Sequence, residues 1–247
     1  MSVSTTPLQA LLLAGSALTL LAGCESSQDK AAKLATTSAK VGSNVSGSSK
    51  HSSGKGGVKV TSADLIRSSQ GAAIAVQLRN DGSQNQSLVP ISVTVRGANG
   101  AEVYSNRGSQ GGLSLKRIAN VPPGGTAWWV ASGIRPQGAA KSVRASVDRS
   151  NVKSTGVSLD VGDLRVAPDP RSGLDAVGEV VNTTGADVTD VVVAAVATKG
   201  RRAVAAGSAT IGSVPAGGKT SFRIKLTGDP SGGVLVATAA SSGGSRN

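Results

Sequence analysis

Apolar and polar positions alternate with a period of two along several short stretches of this chain. Ile74, Val76 and Leu78 interleave with Ala75, Gln77 and Arg79, and Val89, Ile91, Val93 and Val95 with Pro90, Ser92 and Thr94. Phe222, Ile224 and Leu226 interleave in the same way with Ser221, Arg223 and Lys225. Successive side chains of an extended chain leave on opposite sides, so this alternation predicts strands with one face turned inward. Turn signals separate them: Pro122-Pro123-Gly124-Gly125 and Pro215-Ala216-Gly217-Gly218, where Pro presets φ and Gly accepts a positive φ. A different pattern opens the chain. Leu8–Ala22 is an uncharged run of fifteen residues dominated by Leu and Ala. It is shorter than the roughly 20 residues that span a bilayer, and it has the length of a secretory signal's apolar core.

The strand-like part repeats. "VKVTSADL" at 58–65 lies over "VSLDVGDL" at 157–164, "VQLRNDG" around Asn80 over "GEVVNTTG" around Asn182, and "VPPGGTAWW" at 121–129 over "VPAGGKTSF" at 214–222. The order is kept, and one longer insertion falls near "NRGSQGG" at 106–112. Three matches in register indicate a duplicated unit. Six or seven short strands in about 90 residues predict an all-β chain of two tandem antiparallel immunoglobulin-like β-sandwich domains. The boundaries follow: a leader at 1–23, a linker at 24–57, a first sandwich at 58–150, a second at 151–241 and a tail at 242–247.

The second copy, "VGEVVNTTGADVTDVVVAAVATKGRRAVAAGSATIGSVPAGGKTSFRI", resembles the FxLYD-type sandwich domains of bacterial envelope proteins. The resemblance rests on Gly178, Val180, Asn182, Gly200, Pro215, Gly217 and Phe222; "VVVAAVATKG" stands where the naming strand would be. It implies a fold and an extracytoplasmic setting, and it brings no catalytic residue.

The single cysteine, Cys24, closes the sequence Leu21-Ala22-Gly23-Cys24 directly behind the apolar leader. This resembles the lipobox of bacterial lipoproteins, although no Lys or Arg precedes the apolar run. The resemblance implies a diacylglyceryl group on the Cys24 thiol and cleavage between Gly23 and Cys24. The protein would then be held on the extracytoplasmic side of the cell membrane, and its thiol would be consumed as an attachment point. Acyl chains anchor through burial of about 0.8 kcal/mol per CH₂, and two chains suffice for stable attachment. Residues 25–57 that follow are rich in Ser, Gly and Lys, without aromatics, and cannot bury enough surface to offset the entropy of ordering. As a flexible coil these 33 residues reach about 30 Å.

Charge and chemistry narrow the function. The net charge is +12, and residues 58–150 hold eleven Lys and Arg against four acids. That excess suits anionic neighbours, such as lipid head groups or an envelope polymer. Nucleic acid is not expected as a partner, since four aromatics, Tyr104, Trp128, Trp129 and Phe222, give few stacking platforms. His51, the one histidine, lies in the linker, so neither a Ser/His nor a Cys/His pair is in reach. No spacing of Cys and His suits zinc. Asp187 and Asp190 beside Asn182 could line a calcium loop, but they match no EF-hand pattern, and turn-forming Asp is common. The expected role is therefore a non-catalytic structural or protein-interaction module of the cell envelope, without cofactor or metal. The alternative is a binder of an anionic envelope polymer or lipid head groups through the basic first domain. An interaction surface follows from parity. If Trp129 shares the inward position of Phe222, Trp128 faces outward with Ser221, and Val192, Ala194 and Val196 face outward in the second copy. Apolar residues there call for a partner or for the other sandwich.

Overall fold

The computed structural model describes residues 57–69, 71–107, 113–149, 152–171 and 173–243. Gly23, Cys24, the leader, the linker up to residue 56, residues 244–247 of the tail and residues 108–112 of the insertion lie outside them. In the first half, alternation becomes β1 (Val58–Ser68), β2 (Gly71–Asn80), β3 (Gln86–Gly97), β4 (Glu102–Ser105), β5 (Arg117–Val121), β6 (Thr126–Ile134) and β7 (Ala140–Val147). One helical turn, Leu113–Lys116, precedes β5. The second half holds β8 (Val157–Asp169), β9 (Gly173–Val181), β10 (Val188–Lys199), β11 (Arg202–Val214), β12 (Lys219–Lys225), β13 (Thr227–Gly228) and β14 (Val234–Ser241). The ladders are antiparallel, and the protein is an all-β sandwich fold.

Each half uses the same strand plan. In the first, β1-β2-β6 form one sheet, and β3 pairs with β7 and with β4 and β5 to form the other. In the second, β8-β9-β12 pair in that order, and β10 lies between β14 and β11. The difference is local. β11 runs unbroken beside β10, whereas β4 and β5 pair with successive stretches of β3 and are separated by the insertion. Asn106 fills that gap with its side chain: Nδ2 donates to Ile91 O at 2.9 Å and Oδ1 accepts from Val93 N at 2.8 Å. The start of β8 pairs with β14 and the rest with β9, so β8 crosses between sheets and closes one edge of the second sandwich.

Two apolar cores result. Ile74, Val76, Leu78, Val89, Ile91, Val93, Val95 and Trp129 share the first. Val180, Val191, Val193, Phe222, Ile224 and Leu226 share the second. Each fully buried aliphatic side chain contributes about 1.5–3 kcal/mol, so packed valines build each core around one buried ring, Trp129 or Phe222, with half-buried Tyr104 packed on the first.

The two halves also share a polar device. Asn80 and Asn182 are fully buried. Asn80 Nδ2 donates to Gln84 O and Val121 O, and Oδ1 accepts from Gly82 N. Asn182 Nδ2 donates to Ala186 O and Val214 O, and Oδ1 accepts from Thr184 N. The backbone N–H groups of both asparagines donate to Gly125 O and Gly218 O in the Pro-Gly turns. Gly124 and Gly217 supply the required left-handed conformation there, with φ of 61° and 62°. Each asparagine thus clamps the loop after its own strand to the turn that starts β6 or β12.

Candidate interaction surfaces

β2 and β6 are apolar on both faces. One face supplies the first core, and the other presents Ala73, Ala75, Trp128 and Val130, joined by Ile66 of β1. Against them lie Ala194 and Val196 of β10, Ala203 and Ala206 of β11, and Val236 of β14. The β1-β2-β6 sheet therefore stacks on the β14-β10-β11 sheet, giving four layers in which the two middle sheets are covered on both sides. Alanines dominate this seam and let the backbones approach, while Trp128 supplies its one large ring. Trp129 is 4% exposed in the first core, and Trp128 is 9% exposed in the seam. Ala194 and Val196 belong to Trp128's cluster, whereas Val192 is half-buried and outside it. The patch formed by Trp128, Ala194 and Val196 is thus closed within the chain.

Hydrogen bonds fix the seam in register. β6 is an edge strand, so its outer backbone groups need partners from elsewhere. Trp128 N–H donates to Thr238 Oγ1 at 3.3 Å, and Ser208 Oγ donates to Val130 O at 3.1 Å. Ala203 N–H donates to Asp64 Oδ2 at 3.1 Å. Burial raises the Asp64 pKa above its ordinary value, while the Ala203 N–H and the Arg202 guanidinium oppose the rise. At one end of the seam, Ser87 Oγ donates to Asn120 Oδ1 and accepts from Gly156 N, and Asn120 Nδ2 donates to Ser158 Oγ. Gly228 comes in so close that a β-carbon there would stand 2.6 Å from Ile66 Cγ2.

The two outer faces differ in charge. On β8-β9-β12, cations and anions neutralise each other: Lys219 pairs with Glu179 at 3.3 Å, and Arg223 with Asp175 at 3.1 Å and Asp169 at 3.8 Å. β8 bulges away from β9 here, leaving an open hollow of about 700 Å³ among Asp163, Arg165, Glu179, Phe222 and Arg223. On the opposite end of the stack, β3 turns Val89, Ile91, Val93 and Val95 inward, which leaves Pro90, Ser92, Thr94 and Arg96 outward. Ser146 lies opposite Ser92, Arg144 opposite Thr94, Ser142 opposite Arg96, and Arg117 opposite Pro90. Residues paired across strands share a face, so Arg96, Arg117 and Arg144 stand on one polar surface. Two acids border that face: Glu102, opposite Arg96, and Asp148, whose backbone N–H donates to Pro90 O. Among the described residues no carboxylate pairs with these three guanidinium groups.

The repeat relates these faces. Keeping Asn80 over Asn182, the positions of Pro90, Ser92 and Thr94 carry Val192, Ala194 and Val196 in the second copy. The covered face became apolar and the open one polar. Likewise Trp128 and Val130 correspond to Ser221 and Arg223. The apolar character of Ala73 and Ala75 between the inward Ile74 and Val76 was the available signal for a second covered face on β2. Reading on along β3 from Thr94 would likewise have put Arg96 on the open face.

Asp187, considered for calcium, accepts from Ala216 N at 2.9 Å, and Asn182 is engaged in its clamp. Among the described residues no three His, Cys, Asp or Glu side chains gather as metal ligands. No helix among them is long and apolar enough to cross a membrane, which does not bear on Cys24. Neither a family model nor a curated protein matches the chain.

Proposed function

We propose that this protein is a non-catalytic lipoprotein, anchored through a diacylglyceryl group on Cys24 to the extracytoplasmic side of the cell membrane. It presents its sandwich pair as a structural or protein-interaction module of the envelope. The carrying observation is Leu21-Ala22-Gly23-Cys24 behind the Leu8–Ala22 run, where the only thiol follows small residues that fit a signal-peptidase cleft. The uses of the buried polar groups support a structural role. Asn80, Asn106, Asn120 and Asn182 each hold backbone or a neighbouring side chain in place. Cys24→Ala in the full chain should move the protein out of the membrane fraction or leave an uncleaved precursor. Unchanged fractionation with a mature N-terminus elsewhere would refute the reading.

A second reading, binding of anionic lipid head groups or an anionic polymer through the basic first domain, is favoured by Arg96, Arg117 and Arg144 sharing one face, with no salt bridge to a carboxylate among the described residues.

A further inference from the structure

We infer that the outward face of β3, β5 and β7 is the surface on which this protein docks against anionic lipid head groups of its own membrane. The inference rests on both readings above: the anchor at Cys24 and recognition of anions by the first domain.

Arg96 and Arg117 are six residues apart in register along β3, a spacing of about 20 Å for extended chain, and Arg144 lies between them on β7. The guanidinium groups are oriented. Arg96 Nη1 donates to Gly100 O at 2.8 Å, and Arg117 Nη1 donates to Leu88 O at 2.9 Å. Each retains further N–H donors in a planar fork that suits phosphate oxygens. Ser92, Thr94, Ser142 and Ser146 lie between them with short hydroxyl side chains, and the acids Glu102 and Asp148 stand at the two ends of the face. A polymer strand would be held by ring platforms, and this face has none: Tyr104 and Trp129 pack on the first core, Phe222 in the second and Trp128 in the seam, which favours a lipid surface. The opposite end of the stack neutralises its own charges and gives such a surface no net attraction. Chain length agrees. The first described strand starts at Val58, with 33 residues between it and Cys24, and a flexible chain of that length would span about 30 Å. The tether therefore permits the sandwich to lie on the membrane. Near an anionic membrane each basic residue contributes about a fivefold bias towards the surface, and the attraction is screened at high salt.

The test uses the mature acylated protein in two vesicle types, pure phosphatidylcholine and phosphatidylcholine with phosphatidylglycerol. With Cys24 acylated, a fluorophore on an Ala98→Cys variant marks the β3–β4 turn beside the face, and one on a Ser221→Cys variant marks the far end. Energy transfer to a membrane-surface acceptor reports height. We expect the Ala98 label to lie near the surface only with phosphatidylglycerol, and the Ser221 label to stay remote. The docked-to-undocked ratio should fall about fivefold for each of Arg96→Gln, Arg117→Gln and Arg144→Gln, recover with Lys at these positions, and fall at 0.5 M NaCl. Docking that persists in the triple Gln variant yet fails at high salt would overturn this face while leaving anionic-lipid binding intact. A remote Ala98 label in both vesicle types would overturn the lipid-binding reading as well. Protein that leaves both vesicle types altogether would overturn the anchor and the docking together.

Discussion

Asn182 shows how much a single side chain organises. Its Nδ2 meets three backbone carbonyls, of Ala186, Val214 and Pro215, and its Oδ1 takes the Thr184 N–H. Replacing it by Ala leaves buried backbone groups without partners, so Asn182→Ala should destabilise the protein by on the order of 3 kcal/mol in denaturant unfolding. Asn182→Asp should be as harmful, because a carboxylate cannot donate to carbonyls. Phe222→Ala should cost about 3–5 kcal/mol, since the ring fills the second core. Asp64 gives a prediction in pH. Its folded pKa is raised by burial, so between the ordinary value and the raised one the folded state binds more protons than the unfolded state. Stability from this group therefore falls as pH rises through that window, and above it the buried carboxylate is a standing penalty. Asp64→Asn keeps an oxygen for the Ala203 N–H. Its thermal midpoint at pH 7 should equal or exceed the wild type's, with the difference closing as pH falls towards 4. Asn80 and Asn182 were legible in the sequence as matched positions of the repeat. Their role was not, because it depends on carbonyls more than 30 residues away.

Strands are the scale at which the sequence spoke most clearly. The alternation in β3 and β12 named their inward residues, and a period of two leaves no other orientation once one face is buried. β2 was harder to read. With Ile74, Val76 and Leu78 inward, Ala73 and Ala75 look unremarkable until another sheet is found to cover them. The seam makes its own predictions. Ala194→Arg buries a charge among apolar side chains without touching either core, and should cost several kcal/mol. It should also separate the unfolding of the two sandwiches. A single wild-type transition that becomes two in calorimetry would show this, whereas one unchanged transition would mean that the seam adds nothing to stability. Gly228→Ala should destabilise both the seam and the β11–β13 pairing, as its β-carbon would press on Ile66 and on the Val204 carbonyl at a positive φ. Trp128→Ala removes the largest seam side chain and should lower stability by about 3–5 kcal/mol.

For the whole molecule, the proposed anchor and the folded body would carry separate parts of the function. The body has one face paired with itself, one seam closed, and one face whose arginines face solvent. The proposed address rests on the leader and Cys24, which lie outside the described residues, so residue order alone supports it; a peptidase and an acylating enzyme would read short extended sequence rather than fold. The basic excess of the first domain was also readable as a count. That Arg96, Arg117 and Arg144 share one face was not, since it needs the cross-strand register that sets Arg144 beside Thr94 and Arg117 beside Pro90. Mass spectrometry of the protein extracted from its native membrane tests the central claim most directly. The account predicts a mature N-terminal peptide that begins at Cys24 and carries the mass of a diacylglyceryl group. An unmodified Cys24 within a longer N-terminal peptide would contradict it.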